Sequence, residues 1–165
     1  MIYVVSGLAI LIFILIVSSV KIVPPGAVFI VERMGSFYAV YTEGVHFSIP
    51  FLDRITAKVS TADQRLPVEN VTALSSDERP LTLSAEVCFC VADAERFFYS
   101  TENTVSSLGR LTLTALRDIV SAMDAETVLA SKEDIGKKAA RVTAPAVDKW
   151  GLLVKEIRLT ELSDQ

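Results

Sequence analysis

The 165-residue chain holds one histidine, His46, and two cysteines, Cys88 and Cys90, so few side chains could carry nucleophilic or general-base chemistry. His46 sits in "EGVHFSIPFLDRI", residues 43–55, among Phe, Ile, Pro and Leu. A Ser-His-Asp or Cys-His arrangement needs a base held between a nucleophile and an orienting group, and no glycine-flanked serine elbow is present to pair with it. The carboxylates Glu32, Glu86, Asp93, Glu95 and Asp118 could be gathered by folding, yet no spacing selects a pair over surface charge and helix capping. No Walker loop, Rossmann glycine pattern, HExxH or EF-hand loop occurs. Cys88 and Cys90, in "EVCFCV", point to one face of a strand, which is poor geometry for a mutual disulfide. A metal site would need partners that no other His or Cys supplies, so both read as small hydrophobes. "NVT" at 70–72 fits the glycosylation pattern and matters only where that loop faces a lumen. The expectation is a chain without catalysis, cofactor or metal; a membrane-bound hydrolase using His46 is the catalytic alternative.

Charge narrows the partners. The net charge is -4 with both signs interspersed. The densest basic group, Lys132, Lys137, Lys138 and Arg141, has Glu133 and Asp134 beside it, which reads as a solvated helix face and not a nucleic-acid footprint.

The elements that position these residues begin with an apolar run. Ile2–Val20 holds no charge, and a helix of that length at about 1.5 Å per residue comes close to the roughly 30 Å of a bilayer core. It reads as a single-pass transmembrane anchor over residues 1–21. A signal peptide fits less well: the basic n-region is missing, the run is longer than an h-region, and no small-x-small site precedes Lys21. Lys21 and Arg33 follow the run, against only the α-amine before it, which favours a cytoplasmic C-terminal domain, with an extracytoplasmic one as the alternative.

"KIVPPG" stops the helix. "AVFIVERMGSFYAVY" reads as two strands around a Gly35-Ser36 turn, with Val28, Ile30, Phe37, Ala39 and Tyr41 inward. Ile55, Ala57, Val59 and Thr61 alternate with polar residues in another strand. The clearest strand is "RPLTLSAEVCFCVAD", with Leu81, Leu83, Ala85, Val87, Phe89 and Val91 on one face. From Asp93 the period changes to that of helices: "DAERFFYS" is short, and Asn103 can cap a longer one carrying Leu108, Leu111, Ala115, Leu116, Ile119, Val120 and Met123. Asp124 can cap a brief helix. Ser131 with Asp134 resembles a capping box opening a helix that buries Ile135, Ala139, Val142 and Ala146. Pro145 predicts a kink or break near Ala144, and "LLVKEIRLTEL" returns to strand.

In this order, "VPPGAVFIVERMGSFYAVYTEGVHFSIPFLDRI", "VCFCVADAERFFY", "LTLTALRDIVSAMD" with "ETVLASKEDI", and "DKWGLLVKEIRL" resemble the SPFH superfamily (stomatin, prohibitin and flotillin-like), nearest its bacterial or archaeal stomatin-like branch, from about Val23 to Leu159. The resemblance implies an α+β fold: the anchor, then a band 7 domain over residues 22–165 in two subparts, about 22–75, small, β-rich and membrane-proximal, and about 76–165, a curved antiparallel sheet packed with helices. It implies a non-catalytic scaffold whose copies form rings or cages that organise a membrane microdomain. The implied partners are membrane lipids, further copies, and a membrane protein such as an AAA+ protease or an NfeD-like protein. It makes Pro24, Pro25, Val45, Phe47, Ile49, Pro50, Phe51 and Leu52 candidates for a membrane-facing tip, which suits a domain tethered close to a bilayer; that they fill the small subpart's core, or that the domain is a stand-alone lipid-binding module, are the other readings. The family usually continues into a long charged helix rich in Ala and Glu, which is absent here, so the chain is either a truncated form or a short natural one.

Overall fold

The uncharged N-terminal run does not stay helical to its end. The computed structural model describes residues 2–100 and 103–164, with the side chains at 2, 11, 15 and 162–164 outside that description. Helix α1 covers Ile2–Ser19, and the next four residues, Val20–Val23, form strand β1. Eighteen residues at 1.5 Å per residue make α1 about 27 Å long, just under the bilayer core. Over the described residues, no helix is long and apolar enough to cross a membrane. The expected single-pass segment over residues 1–21 is therefore not supported: the helix ends at Ser19, because Val20–Val23 pair with a later strand.

The chain divides into two units, Met1–Thr61 and Ala62–Gln165. The first continues with β2 (Ala27–Arg33), β3 (Ser36–Tyr41), β4 (Gly44–Phe47) and β5 (Asp53–Ser60). β1 and β4 form a two-stranded antiparallel ribbon, and β3-β2-β5 form an antiparallel sheet. Val23, Phe29, Val31 and Tyr41 make a buried cluster, with Ala39 and Ile55 packed on it. β2 is central and buried on both faces, since Val28 and Ile30 are also covered. The expected inward set thus mixed two faces and omitted Phe29 and Val31, while Phe37 is 39% exposed. The β2–β3 turn falls on Met34-Gly35, at φ 52° and 83°, one residue earlier than expected; two left-handed residues give the twist that suits a two-residue hairpin.

The second unit holds β6 (Gln64–Leu74), β7 (Pro80–Val91), α2 (Ala94–Ser100), α3 (Thr104–Ser121), α4 (Ala125–Ala130), α5 (Lys132–Asp148) and β8 (Leu152–Asp164). β7 lies between β6 and β8, antiparallel to both. Its burial alternates residue by residue with Leu81, Leu83, Ala85, Val87, Phe89 and Val91 inward, as the two-residue period requires. β6 is the strand that the sequence hides. Pro67 lacks an amide hydrogen, Asn70 sits at φ 55°, and the register shifts between Val68 and Val71; an edge position tolerates all three. Because Gln64–Leu74 pairs with β7, the units part after Thr61 and not near residue 75, and Asn70-Val71-Thr72 lies on a bulged strand instead of a loop.

The helices are started by their caps. The Asn103 side chain accepts the Ser106 amide at 3.2 Å, and Asp124 accepts the Thr127 amide at 3.1 Å, each satisfying an orphan donor of a first turn. Ser131 makes no side-chain cap bond; Asp134 instead lies 4.0 Å from Lys137. α5 buries Ile135, Gly136, Ala139, Thr143 and Val147, whereas Val142 is 63% exposed and Ala146 half-buried. The stripe follows steps of four, which carry it to 143 and 147. Nor does Pro145 break α5, which runs on to Asp148: Pro145 and Arg141 are exposed, so water can take the carbonyl left unpaired, and buried Val147 holds the final turn in place.

α5 crosses β8 with no room for a side chain at Gly136, where a Cβ would stand 2.1 Å from the Ile157 carbonyl oxygen. At Gly109 a Cβ would meet only Leu66 Cδ2, at 3.5 Å, an ordinary contact. Gly136→Ala should therefore cost about 1–3 kcal/mol through overpacking, while Gly109→Ala should be neutral or stabilising by up to about 1 kcal/mol from helix propensity. Thermal unfolding of the two variants should give midpoints on opposite sides of the parent or, for Gly109→Ala, level with it; equal losses would contradict the close approach.

Candidate functional site

The first unit carries many of its apolar side chains on the outside. Cross-strand partners in the β1–β4 ribbon are Val20↔Phe47, Lys21↔His46, Ile22↔Val45 and Val23↔Gly44. Alternation sends Val20, Ile22, Val45 and Phe47 to one face. That face is uncovered: Ile22 is 72%, Val45 61% and Phe47 74% exposed. The opposite face points inward, with Val23 in the core cluster and the His46 ring stacked on Tyr41, centroids 4.5 Å apart. The Tyr41 hydroxyl donates to the Phe47 carbonyl at 3.0 Å. The ribbon is thereby clamped to the three-stranded sheet.

Among the described residues His46 has no catalytic neighbour. Its Nε2 lies 2.7 Å from the Thr42 carbonyl oxygen; a carbonyl can only accept, so Nε2 carries the proton. Tyr41 covers the ring face, and Lys21 is its cross-strand neighbour. No serine hydroxyl or carboxylate partner of this ring is found among the described residues. Cys88 and Cys90 are free thiols, half-buried on the face of β7 opposite its core residues. Among the described residues no group of three or more His, Cys, Asp or Glu could hold a metal ion.

Beyond Phe47 the chain forms a second exposed feature. Ser48 is buried, and its amide donates to the Ser19 carbonyl at 2.8 Å, tying this segment to the end of α1. The turn that follows is closed by the Leu52 and Asp53 amides, which donate to the Ile49 carbonyl at 3.2 and 3.0 Å. At its apex Phe51 takes φ 71° with 96% of its surface exposed, and Ile49 and Leu52 are also exposed; Pro50 is half-buried. The Met34 amide donates to the Leu52 carbonyl at 3.3 Å, so the β2–β3 turn lies beside this apex. Met34 itself is 86% exposed.

One ion pair underlies both turns. Arg33 Nε and Nη2 donate to Asp53 Oδ1 and Oδ2 at 2.6 and 3.1 Å, and Asp53 Oδ2 also accepts the Ile49 amide at 2.7 Å. The Asp53 side chain has no exposed surface, and the Arg33 guanidinium lies 3.6 Å from the centre of the Tyr38 ring. The hydrogen bonds from Arg33 hold the Asp53 carboxyl below its ordinary value of 3.8, against an opposing effect of desolvation.

Of the expected membrane-facing residues, Val45, Phe47, Ile49, Phe51 and Leu52 are exposed and Pro50 half-buried along the ribbon face and the turn that follows it, together the rim, and none is in the buried cluster. Pro24 and Pro25 are exposed and follow Val23 directly, at the Ile22–Val45 end of the ribbon. They form, with Gly26 at φ 75°, a tight turn closed by the Ala27 amide on the Pro24 carbonyl. That turn lies at the Ala27 end of β2, whereas Met34 follows its Arg33 end. Sequence reasoning missed Val20, Ile22 and Met34 on the rim and the Arg33–Asp53 pair beneath it. Val20 and Ile22 were hidden by the helical assignment of the former and the "KIVPPG" break, and Met34 by placing the turn one residue late.

Architecture and site together define an α+β protein of two antiparallel-sheet units, one bordered by an exposed apolar rim. The chain belongs to the SPFH domain / Band 7 family, whose pattern matches residues 21–165. It is 22% identical over 160 residues to a stomatin homolog of Pyrococcus horikoshii, covering 97% of this chain and 60% of that protein. A stomatin homolog of Pyrococcus abyssi is 24% identical over 155 residues, 93% of this chain and 58% of that one. An uncharacterized protein of Mycobacterium tuberculosis (strain H37Rv) is 26% identical over 155 residues, 94% and 41% respectively. The chain thus spans between about two-fifths and three-fifths of these relatives.

The Arg33–Asp53 bond makes a signed prediction. Because the folded carboxyl is held below 3.8, its contribution is complete above that value and is lost as pH falls through the lower folded value. The Ile49 amide resonance of the full chain should hold its position from pH 7 down to pH near 4 and move only in more acidic solution. A titration of that resonance centred at or above 3.8 would contradict the assigned bond.

Proposed function

We propose that the chain is a membrane-anchored, non-catalytic scaffold. α1 inserts into the bilayer as the anchor, the rim lies against the lipid surface, and copies assemble side by side into rings or cages. Such an assembly encloses a patch of membrane and modulates a membrane protein, with an AAA+ protease or an NfeD-like protein as the expected class of partner. The observation that carries this reading is the continuity of exposed apolar surface from α1 onto the folded domain. In α1, Tyr3, Val4, Leu8, Phe13 and Ile16 are each more than half exposed and no charge interrupts them; the same character continues through Phe47, Ile49, Phe51 and Leu52. Removing each such large side chain from water is worth roughly 1.5–3 kcal/mol, and contiguous patches of this kind mark interaction surfaces. Lipid is the favoured contact because the rim joins an uncharged helix through the Ser48–Ser19 bond. Membership of a family whose stomatin-like members are typically scaffold-like and membrane-associated supports the same reading.

The full chain should stay with membranes through alkaline carbonate washing, and after mild detergent extraction should run at the mass of a multi-copy particle that appears closed in negative stain. Release by carbonate would overturn the anchor. A monomeric mass at the protein's native density in the membrane would overturn assembly.

A further inference from the structure

We propose that Asp53 is a positioning residue for membrane contact: held by Arg33, its carboxylate fixes the Ile49–Leu52 turn so that Phe51 and Met34 are presented together. This rests on the reading of the rim as lipid-facing and adds to it which polar group sets the rim's shape.

Three observations carry the inference. First, Asp53 is a carboxylate with no exposed surface at the base of an otherwise exposed turn, and such a group persists only where partners replace its water. Here two guanidinium contacts and the Ile49 amide do so. Second, the turn is already closed by backbone bonds from Leu52 and Asp53 to the Ile49 carbonyl, so the carboxylate adds orientation and not closure. Third, both residues presented sit in tight turns that need a left-handed backbone, and neither side chain packs into the core. Phe51 at φ 71° and Met34 at φ 52° occupy the left-handed region, which aromatic and long side chains rarely adopt, yet they are 96% and 86% exposed. Two large apolar side chains left outside the core at adjoining turns point to a contact outside the chain. Arg33 reaches both turns at once: it immediately precedes Met34, stacks on Tyr38, and grips the residue that ends the Phe51 turn.

The test uses the full chain reconstituted in phosphatidylcholine vesicles with acyl chains brominated at one depth. Trp150 is the single tryptophan, so Phe51→Trp in a Trp150→Phe background reports on the apex alone. Bromolipid should quench this tryptophan strongly, and Asp53→Asn should reduce the quenching several-fold. Glu43→Gln, an exposed carboxylate outside the pair, should leave it unchanged. Arg33→Lys keeps the charge but loses the two-pronged fit and should fall between, which also covers the case in which Asp53→Asn disrupts the first unit. In parallel, hydrogen exchange at the Ile49 amide should quicken in Asp53→Asn. Equal quenching with and without the carboxylate would overturn the positioning role and leave the lipid-facing rim standing. Absence of quenching in the parent, with faster exchange in Asp53→Asn, would overturn both and reduce the pair to a structural one.

Discussion

The first unit depends on one pairing, that of Val20–Val23 with Gly44–Phe47. It takes the residues leaving α1 and fixes them to a strand more than twenty positions later, so helix and sheet are joined by main-chain bonds and not by a loose tether. Its period of two then sorts the side chains without further help. Val23 and His46 go inward to the cluster around Tyr41, and Val20, Ile22, Val45 and Phe47 are left outside. A one-residue slip would bury the second set and expose the first. The buried Val23, the Tyr41–His46 stack and the Tyr41 bond to the Phe47 carbonyl all oppose that slip, and the exposure of the apolar face follows from the same contacts that stabilise the core.

In the second unit the governing constraint is steric. β7 offers a fully alternating strand with its inner side chains buried, and α5 can lie close to β8 only because residue 136 is glycine. Gly151 plays a similar part where α5 gives way to β8. At φ 72°, with a would-be Cβ 2.2 Å from the Asp93 carbonyl oxygen, it lets its own carbonyl accept the Ala92 and Asp93 amides. That bond pair joins the end of β7 to the start of β8, so the two strands meet in register where α2 departs.

What the sequence made legible follows from which forces act locally. β7 was readable residue by residue because one buried face repeats over twelve positions. The caps Asn103 and Asp124 were readable because capping is a contact between near neighbours. β6 was not, since Pro67 and Asn70 carry turn chemistry that only an edge position against β7 overrides. The helical run was read too long for a similar reason: nothing within Val20–Val23 tells that Gly44–Phe47 will pair with it. At the rim the apolar residues could be picked out by type, but not Met34, whose place beside Leu52 depends on a turn and a strand pairing together. The Arg33–Asp53 pair, twenty residues apart in sequence, is likewise a product of β2–β5 register.

The polar groups around the rim show how such a surface differs from a reaction site. A catalytic cleft aims its acids, bases and donors at the space a substrate will fill. Here the direction is reversed: His46 is bonded to the Thr42 carbonyl, the Tyr41 hydroxyl to the Phe47 carbonyl, the Ser48 amide to Ser19, and Asp53 to Arg33 and the Ile49 amide. Each uses its bonding capacity on the protein's own backbone or on a neighbour, and Phe47, Ile49, Phe51, Leu52 and Met34 are what remain to face outward. An apolar surface of this kind gains most from a partner that makes no demand for hydrogen bonds, which is the property that the lipid contact proposed above requires.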